Sequence, residues 1–506
     1  MIFFDPTPRL ATVHASRPTC AAPVAWAAAL AVTVGVALAG CTVGPDYRRP
    51  AAEVPATYKE AGPWKTAEPR PADCDTAWWE MFRDPELNRL VAEANAANEN
   101  IAQAEAQYRQ ASALADAARA AFWPGVGASA GVTRSLTNTN GIKEGTYPSV
   151  ALGASWAPDL WGGVRRSVEA GEAGAAASAD QLAGARLGVQ ALLAQDYLQL
   201  RVTDLLIRLY ADTTEAYQRA LKLTRSQYAA GVALPSDVAL AESQLKTAQA
   251  QGVDLQVQRS QLEHAIAVLI GKPPAALTLP AEPTSVQQLG ARLPVIPVGV
   301  PSDLLERRPD IAAAERLAAQ ANANIGVAKA AYFPSLTLAA SAGYSSASFP
   351  ALFDTPSRVW SLGAVLAETL FDGGLRSARN AQAVAAYDAA VAQYKQTVLN
   401  SFQQVEDNLA LLRVLQQEVA LQDQAVQAAR RAEQMALAQY RGGTATYLAV
   451  VTAQQLSLTN QRTAVQLRGR QLLASVALIT ATGGGWSAAA PLATSKTSAV
   501  KAVPSS

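Results

Sequence analysis

The sequence predicts a mainly α-helical chain with a β-barrel portion, built as one architecture laid down twice. Three observations carry that expectation. The stretches "QYAAGVALPSDVALAESQL" from Gln227 and "QYRGGTATYLAVVTAQQL" from Gln439 share a glycine-centred hinge at an offset of 212 residues (439 less 227). Long proline-free stretches surround both hinges, and a proline inside a helix costs about 3 kcal/mol, so the helices are expected inside those stretches. Two pairs of shorter segments alternate apolar with small or polar residues, which is the period of a strand.

Composition agrees with a well-buried fold. Of 506 residues, 50% are hydrophobic and 16% charged, which supplies a sizeable core and no signature of disorder. Length alone suggests about three domains, but the repeat replaces that with one architecture built twice. A net charge of +1 gives no electrostatic footprint for nucleic acid.

Residues 1–40 read as a signal peptide, with Arg9 and Arg17 ahead of an apolar run from Val24 to Ala39 that is too short and alanine-rich for a membrane span. The run ends in Leu38-Ala39-Gly40-Cys41, which resembles the bacterial lipoprotein cleavage box. Cys41 is therefore the expected lipidation site, carrying palmitate-type acyl chains at the head of a lipid-anchored segment, 41–83. Each buried methylene contributes roughly 0.8 kcal/mol, so several chains tether the terminus firmly. Thr42 follows where an aspartate would be the usual inner-membrane retention signal, which favours the outer membrane. Cys20 leaves with the signal and Cys74 then lacks a partner, so no disulfide framework is expected.

The first repeat is expected over 84–270. Asp84-Pro85-Glu86 opens a helix with an N-cap residue, a proline at the first position and an acid in the first turn, running to about Ala121. Helix resumes from about Arg165 to Ala230 and from Ser236 to Ile270. A proline-rich linker, 271–308, leads to a second repeat, 309–482, with helices at Pro309 to Ala331, Arg376 to Arg441 and about Thr446 to Ala481. The tail, 483–506, reads as flexible. Each of the two longest helices would extend on the order of 100 Å at about 1.5 Å per residue. Val398, Phe402, Val405, Leu409 and Leu412 step by four and three, as do Leu198, Val202, Leu205 and Leu209, which is coiled-coil spacing. Gly171, Gly174, Gly184 and Gly188 weaken the start of one long helix.

The alternating segments occupy about 125–160 and 335–371, and each pair reads as a hairpin of membrane-spanning length. Trp123, Trp156, Trp161, Trp360 and Phe371 fall near their ends, where a barrel in a bilayer carries aromatic girdles. Four strands cannot close alone, and open edges in lipid leave backbone groups unsatisfied, so chains must share a barrel. Two chains giving eight strands and three giving twelve both satisfy that requirement. A purely periplasmic coiled coil would account for the helices but not for the paired alternating segments.

Together, "CTVGPDYRRPAAEVP" from Cys41, "WWEMFRDPELNRLV" from Trp78, "GVPSDLLERRPDIAAAE" from Gly299, the pair "AAFWP" and "AAYFP" at Ala120 and Ala330, and the Gly-Gly strand exits at Gly162 and Gly373 resemble the TolC/OprM outer-membrane factor family, and its NodT-type efflux lipoprotein branch in particular. That resemblance implies a homotrimer whose twelve-stranded barrel, four strands per chain, stands on a long periplasmic α-helical barrel with an equatorial domain. It further implies a passive exit duct for multidrug efflux and antibiotic resistance, joined through a periplasmic membrane-fusion adaptor to an inner-membrane RND-type pump. An exit for type I protein secretion or metal efflux is the alternative.

The resemblance also places both hinges at the periplasmic tip. Asp237, beside Ser236, matches an acid that helps hold the tip closed, and Tyr440 matches its tyrosine partner. An arginine of the family is replaced here by Ala445, with Arg441 the candidate substitute, while Ala449 and Thr452 stand where relatives can place acidic rings. The expectation is a mouth with less fixed negative charge. Arg225, Gly231 and Gly443 are the expected adaptor-docking positions. No cofactor beyond the lipid is implied, and no enzyme: His264 is the one histidine beyond the signal, and no nucleotide or nucleophile motif occurs.

Overall fold

The computed structural model describes residues 42–60, 77–137, 143–281, 293–294, 301–303 and 307–484. The expected signal peptide, Cys41, Cys74, most of the linker and nearly all of the tail lie outside them. Contacts divide the chain into two compact units, one drawing on 120–167 and 326–380 together with the amino terminus, the other on the remainder.

In the first unit, β1 (Gly125–Thr137), β2 (Lys143–Trp156), β3 (Ser335–Ser345) and β4 (Arg358–Ala367) form one antiparallel sheet in sequence order. Val126 faces Ala154, Ala154 faces Ala340, and Ala340 faces Leu362, so the two hairpins join through β2 and β3 into a continuous register. Residues before the strands repeat at an offset of 210 (Pro124 and Pro334), the Gly-Gly exits at 211 (Gly162 and Gly373) and the hinges at 212, so the second repeat gains one residue across the hairpin and one more between it and the hinge. Where β2 leads to the next helix, Trp161 Nε1 donates to Pro334 O at 2.7 Å and its ring stacks on Phe333 at 4.9 Å.

The helices are α1 (Pro85–Ala97), α2 (Glu99–Ala120), α3 (Gly163–Ala229), α4 (Pro235–Leu269), α5 (Pro309–Ala330), α6 (Leu375–Arg441) and α7 (Tyr447–Ala481). The helices flanking the hinges match in length across the repeat, 67 residues for α3 and α6 and 35 for α4 and α7. Among the described residues no helix is long and apolar enough to cross a membrane.

Two sequence expectations are corrected. The first helix does not run unbroken to Ala121, because Asn98 adopts an extended conformation between α1 and α2. Its side chain accepts from Asn100 N at 2.9 Å and Ile101 N at 3.2 Å, capping α2, while Nδ2 donates to Leu269 O at 2.8 Å. An asparagine that caps one helix and ties another is more stable outside the ladder than within it. The glycines of α3 do not interrupt that helix either. A Cβ at Gly171 would stand 3.0 Å from Ala115 Cα, so this glycine marks close helix packing, whereas one at Gly174 would meet only the movable end of the Gln320 side chain.

The second unit's core follows the coiled-coil spacing: Leu198, Val202, Leu205, Val398, Val405, Leu409 and Leu412 are all buried. Asp84 caps α1, accepting from Glu86 N and Leu87 N at 3.0 and 3.2 Å, and also accepts from the Tyr197 hydroxyl at 2.8 Å. The Arg201 guanidinium lies 4.8 Å from the Tyr197 ring and donates to Asp204 at 3.1 Å and Pro280 O at 2.9 Å. Arg259 donates to Asp204 at 2.8 Å, Glu263 at 3.3 Å and Leu279 O at 2.5 Å, and Glu263 accepts from Leu279 N. This internal ion cluster fastens the start of the linker to α3 and α4.

On α3, burial pushes the Asp180 carboxyl up to about 6, with the Arg316 charge only partly opposing it. A raised folded value means the native chain holds this proton more tightly than the unfolded one. The stability cost is therefore absent below 3.8 and complete above about 6. Asp180→Asn should raise the thermal midpoint at pH 7.5 and match wild type at pH 4. Equal midpoint differences at both pH values would remove burial as the cause.

Candidate functional site: two hinges and a two-faced sheet

Each hinge is a helix C-cap followed at once by a new helix. At the first, Gly231 takes φ +75°, its N–H donates to Tyr228 O at 2.9 Å, and Val232 N donates to Gln227 O at 2.9 Å. At the second, Gly443 takes φ +73°, its N–H donates to Tyr440 O at 3.1 Å, and Thr444 N donates to Gln439 O at 2.9 Å. The bonds correspond one for one at the 212-residue offset. A left-handed residue is needed to satisfy the last carbonyls of a helix while turning the chain, and glycine adopts it without a Cβ clash.

The two hinges differ in what starts the returning helix. Pro235 occupies the first turn of α4, and Asp237 Oδ2 accepts from Leu234 N at 3.2 Å, with Ser236 exposed between them. The second hinge has Ala449 at the position of Asp237, and Thr446 makes no side-chain cap. Thr452 is exposed and bonds back to Leu448 O at 2.9 Å, and Arg441 is exposed with no ion pair among the described residues. Arg225 pairs with Glu242 across α3 and α4, beside an open groove of about 520 Å³ lined by Gln218, Leu221, Lys222, Arg225, Ser226, Ala229 and Leu245.

Behind the hinges, Tyr440 and Tyr447 are buried, 6% and 2% exposed, with ring centroids 5.3 Å apart. The Tyr440 hydroxyl donates to Thr224 Oγ1 at 3.4 Å, so within one chain it does not bond Asp237, whose carboxylate serves its own hinge. Tyr210, Tyr217, Leu221, Ala241, Leu245, Ala248, Val450 and Val451 complete the cluster. Burial pushes the Tyr447 and Tyr217 hydroxyls up to about 12, so both stay neutral at physiological pH. Sequence reading missed Tyr210, Tyr217 and Thr224, although their spacing of seven marks one seam of α3.

In the sheet, register assigns every side chain to one of two faces, because residues directly opposite on paired strands point the same way. One face carries Val126, Val132, Leu136, Val150, Leu152, Trp156, Trp360, Leu362 and Leu366, large apolar side chains that are nonetheless exposed. The other carries mostly small or hydroxyl-bearing residues, among them Gly127, Ser129, Gly131, Thr133, Ser149, Gly153, Ser155, Ser341, Ser361 and Gly363, together with Tyr147, Val359 and Val365, and the register puts Lys143 at its loop end. Ser341 and Ser361 hydroxyls meet across it at 2.8 Å. Apolar outward and small or polar inward is the pattern of a barrel strand in lipid. The chain after Cys41 also reaches this unit: Val43 N donates to Trp161 O at 3.1 Å, and a Cβ at Gly162 would lie 2.5 Å from Thr42 Cγ2.

A sheet with one face rich in exposed large apolar residues and one of mostly small and hydroxyl-bearing residues, in a chain dominated by long paired helices, defines a channel-forming membrane protein. The Outer membrane efflux protein family model matches residues 90–272 and 300–484, and the chain belongs to that family. It is 32% identical to the outer membrane protein OprJ of Pseudomonas aeruginosa over 464 residues, covering 90% of this chain and 95% of OprJ. It is 31% identical over 470 residues to the toluene efflux pump outer membrane protein TtgF of Pseudomonas putida, covering 90% and 96%. The open state of the MtrE outer membrane channel of Neisseria gonorrhoeae superposes with a TM-score of 0.77 at 26% identity, over 88% of this chain and 98% of that one.

Proposed function

We propose that this protein is the outer-membrane exit duct of a tripartite efflux system, assembling as a homotrimer and passing small molecules passively to the exterior. The observation that carries the reading is the sheet's division into an exposed face rich in large apolar residues and a second face of mostly small and hydroxyl-bearing ones. Four strands cannot close, so three chains supply twelve, in keeping with the family. Relatives include a toluene efflux pump component, which supports a small-molecule load. A periplasmic membrane-fusion adaptor and an inner-membrane RND-type pump supply recognition and energy, and the duct needs neither cofactor nor catalytic residue. Cys41, next to a residue packed on Gly162, is the lipid anchor in this reading. Deleting the gene should raise cellular retention of an apolar fluorescent dye, with the full-length gene restoring efflux. Unaltered retention would contradict the proposal.

The hinges form the periplasmic gate. Ser236, Asp237, Arg441 and Thr452 line its rim, Tyr440 holds the two helix pairs together from behind, and Arg225, Gly231 and Gly443 present the adaptor-docking surface. Tyr440→Ala removes a buried ring from the cluster, a change costing about 3–5 kcal/mol for large aromatics. Single-channel recordings should then show the closed state replaced by larger, longer openings. Wild-type conductance in that variant would separate the tyrosine cluster from gating.

A further inference from the structure

We infer that the loop end of the sheet's apolar face is a binding site for a phosphate-bearing lipid of the outer leaflet, with Arg358 as the phosphate ligand. The inference rests on the outer-membrane reading above, which places the hairpin loops outside.

Arg358 opens β4 directly opposite Tyr344, so both side chains lie on the apolar face at its loop end. Arg358 is exposed and has no ion-pair partner among the described residues. Arg134, also on this face, behaves differently, because Glu144 pairs with it at 2.9 Å. The free guanidinium is thus singled out on this face.

Its neighbours supply the apolar half of a lipid site. Phe353 meets Tyr344 edge to face at 5.5 Å and remains 69% exposed, and Phe349 is 62% exposed. The loop that holds them is bonded to itself. Ser357 Oγ donates to Ala351 O at 2.7 Å, Leu352 N donates to Phe349 O at 3.2 Å, and Leu352 and Ser357 are buried beneath. The two rings are therefore held outward by a built turn. One register step into the sheet comes Trp360, at 79% exposure, and then Leu362, at 77%. Cation, aromatic ring and aliphatic chain succeed one another in the order of headgroup, interface and acyl region. A planar guanidinium suits phosphate, which it grips through paired hydrogen bonds. A neutral headgroup would leave the cation without a partner.

Native mass spectrometry of the full-length protein in detergent would measure retention of diphosphoryl lipid A against a neutral diglycosyl lipid of similar chain length. The expected result is preferential retention of the diphosphoryl lipid, about tenfold weaker in Arg358→Gln, as loss of one charge-assisted contact predicts. Retention should fall less in Arg358→Lys, which keeps the charge but not the paired hydrogen bonds, and stay unchanged in Arg134→Gln, while Phe353→Ser should weaken both lipids. Free inorganic phosphate should not compete. Unchanged retention in Arg358→Gln, equal retention of the two lipids, or competition by inorganic phosphate would overturn the inference. Planar-bilayer insertion of the same preparations separates the two levels. Wild type that conducts while Arg358→Gln retains lipid normally removes this site alone, whereas wild type that never inserts removes the membrane reading as well.

Discussion

Leu362→Arg prevents stable assembly of the barrel, whereas Gly363→Arg, one residue further, leaves it assembled and makes the channel prefer anions. Leu362 is 77% exposed at the middle of β4, on the face that also carries Trp360 and Leu366. An arginine facing lipid at that depth costs about 2–4 kcal/mol in a transmembrane barrel, and a homotrimer bears the cost in every subunit. Gly363 points the other way, and an added Cβ meets nothing within 4 Å, so the longer side chain has open space. Three new cations midway along a face of mostly small and hydroxyl-bearing residues would set the sign of selectivity. Heat-resistant trimer on a gel and reversal potential in a salt gradient report the two effects. Equal assembly of both variants would mean that the apolar face does not meet lipid.

The second large effect is expected at the internal ion cluster. Asp204 accepts from both Arg201 and Arg259, with the Arg201 and Asp204 side chains only 3% and 4% exposed. Asp204→Ala leaves two guanidinium groups facing each other without their shared acceptor, and breaking a buried pair from one side costs about 3–5 kcal/mol. The linker start should loosen with it, because Pro280 O and Leu279 O are held by the same two arginines. Replacing Arg201 by Met together with Asp204 by Leu should recover most of the loss, since apolar residues of similar volume relieve desolvation. Thermal melting and thermolysin cleavage beside Leu277 would follow both changes. A loss under about 1 kcal/mol in Asp204→Ala would show that water already screens the cluster.

The helices, strands and hinges were legible because each rests on local chemistry. Gly231 and Gly443 announce the turns, Pro85, Pro235 and Pro309 the helix starts, and the alternation from Gly125 to Trp156 the first hairpin. What escaped depends on partners distant in sequence. Asn98 reads as an ordinary helix residue until Leu269 O appears beside it, and Gly171 reads as a weak point until Ala115 packs on it. Arg201, Asp204 and Arg259 look like surface charges, although the apolar run around Arg201, "LQLRVTDLLIRLY", hints that this stretch is inside. At the hinges, periodicity shows a seam but not that Thr224 accepts the Tyr440 hydroxyl. Arg358 likewise has no motif; its isolation is a property of the folded sheet.

Planar-bilayer recording of the purified full-length protein tests the central claim most directly. The duct reading predicts discrete conductance steps, larger for Tyr440→Ala than for wild type. Protein that associates with the bilayer yet never produces a step, in either form, would contradict it.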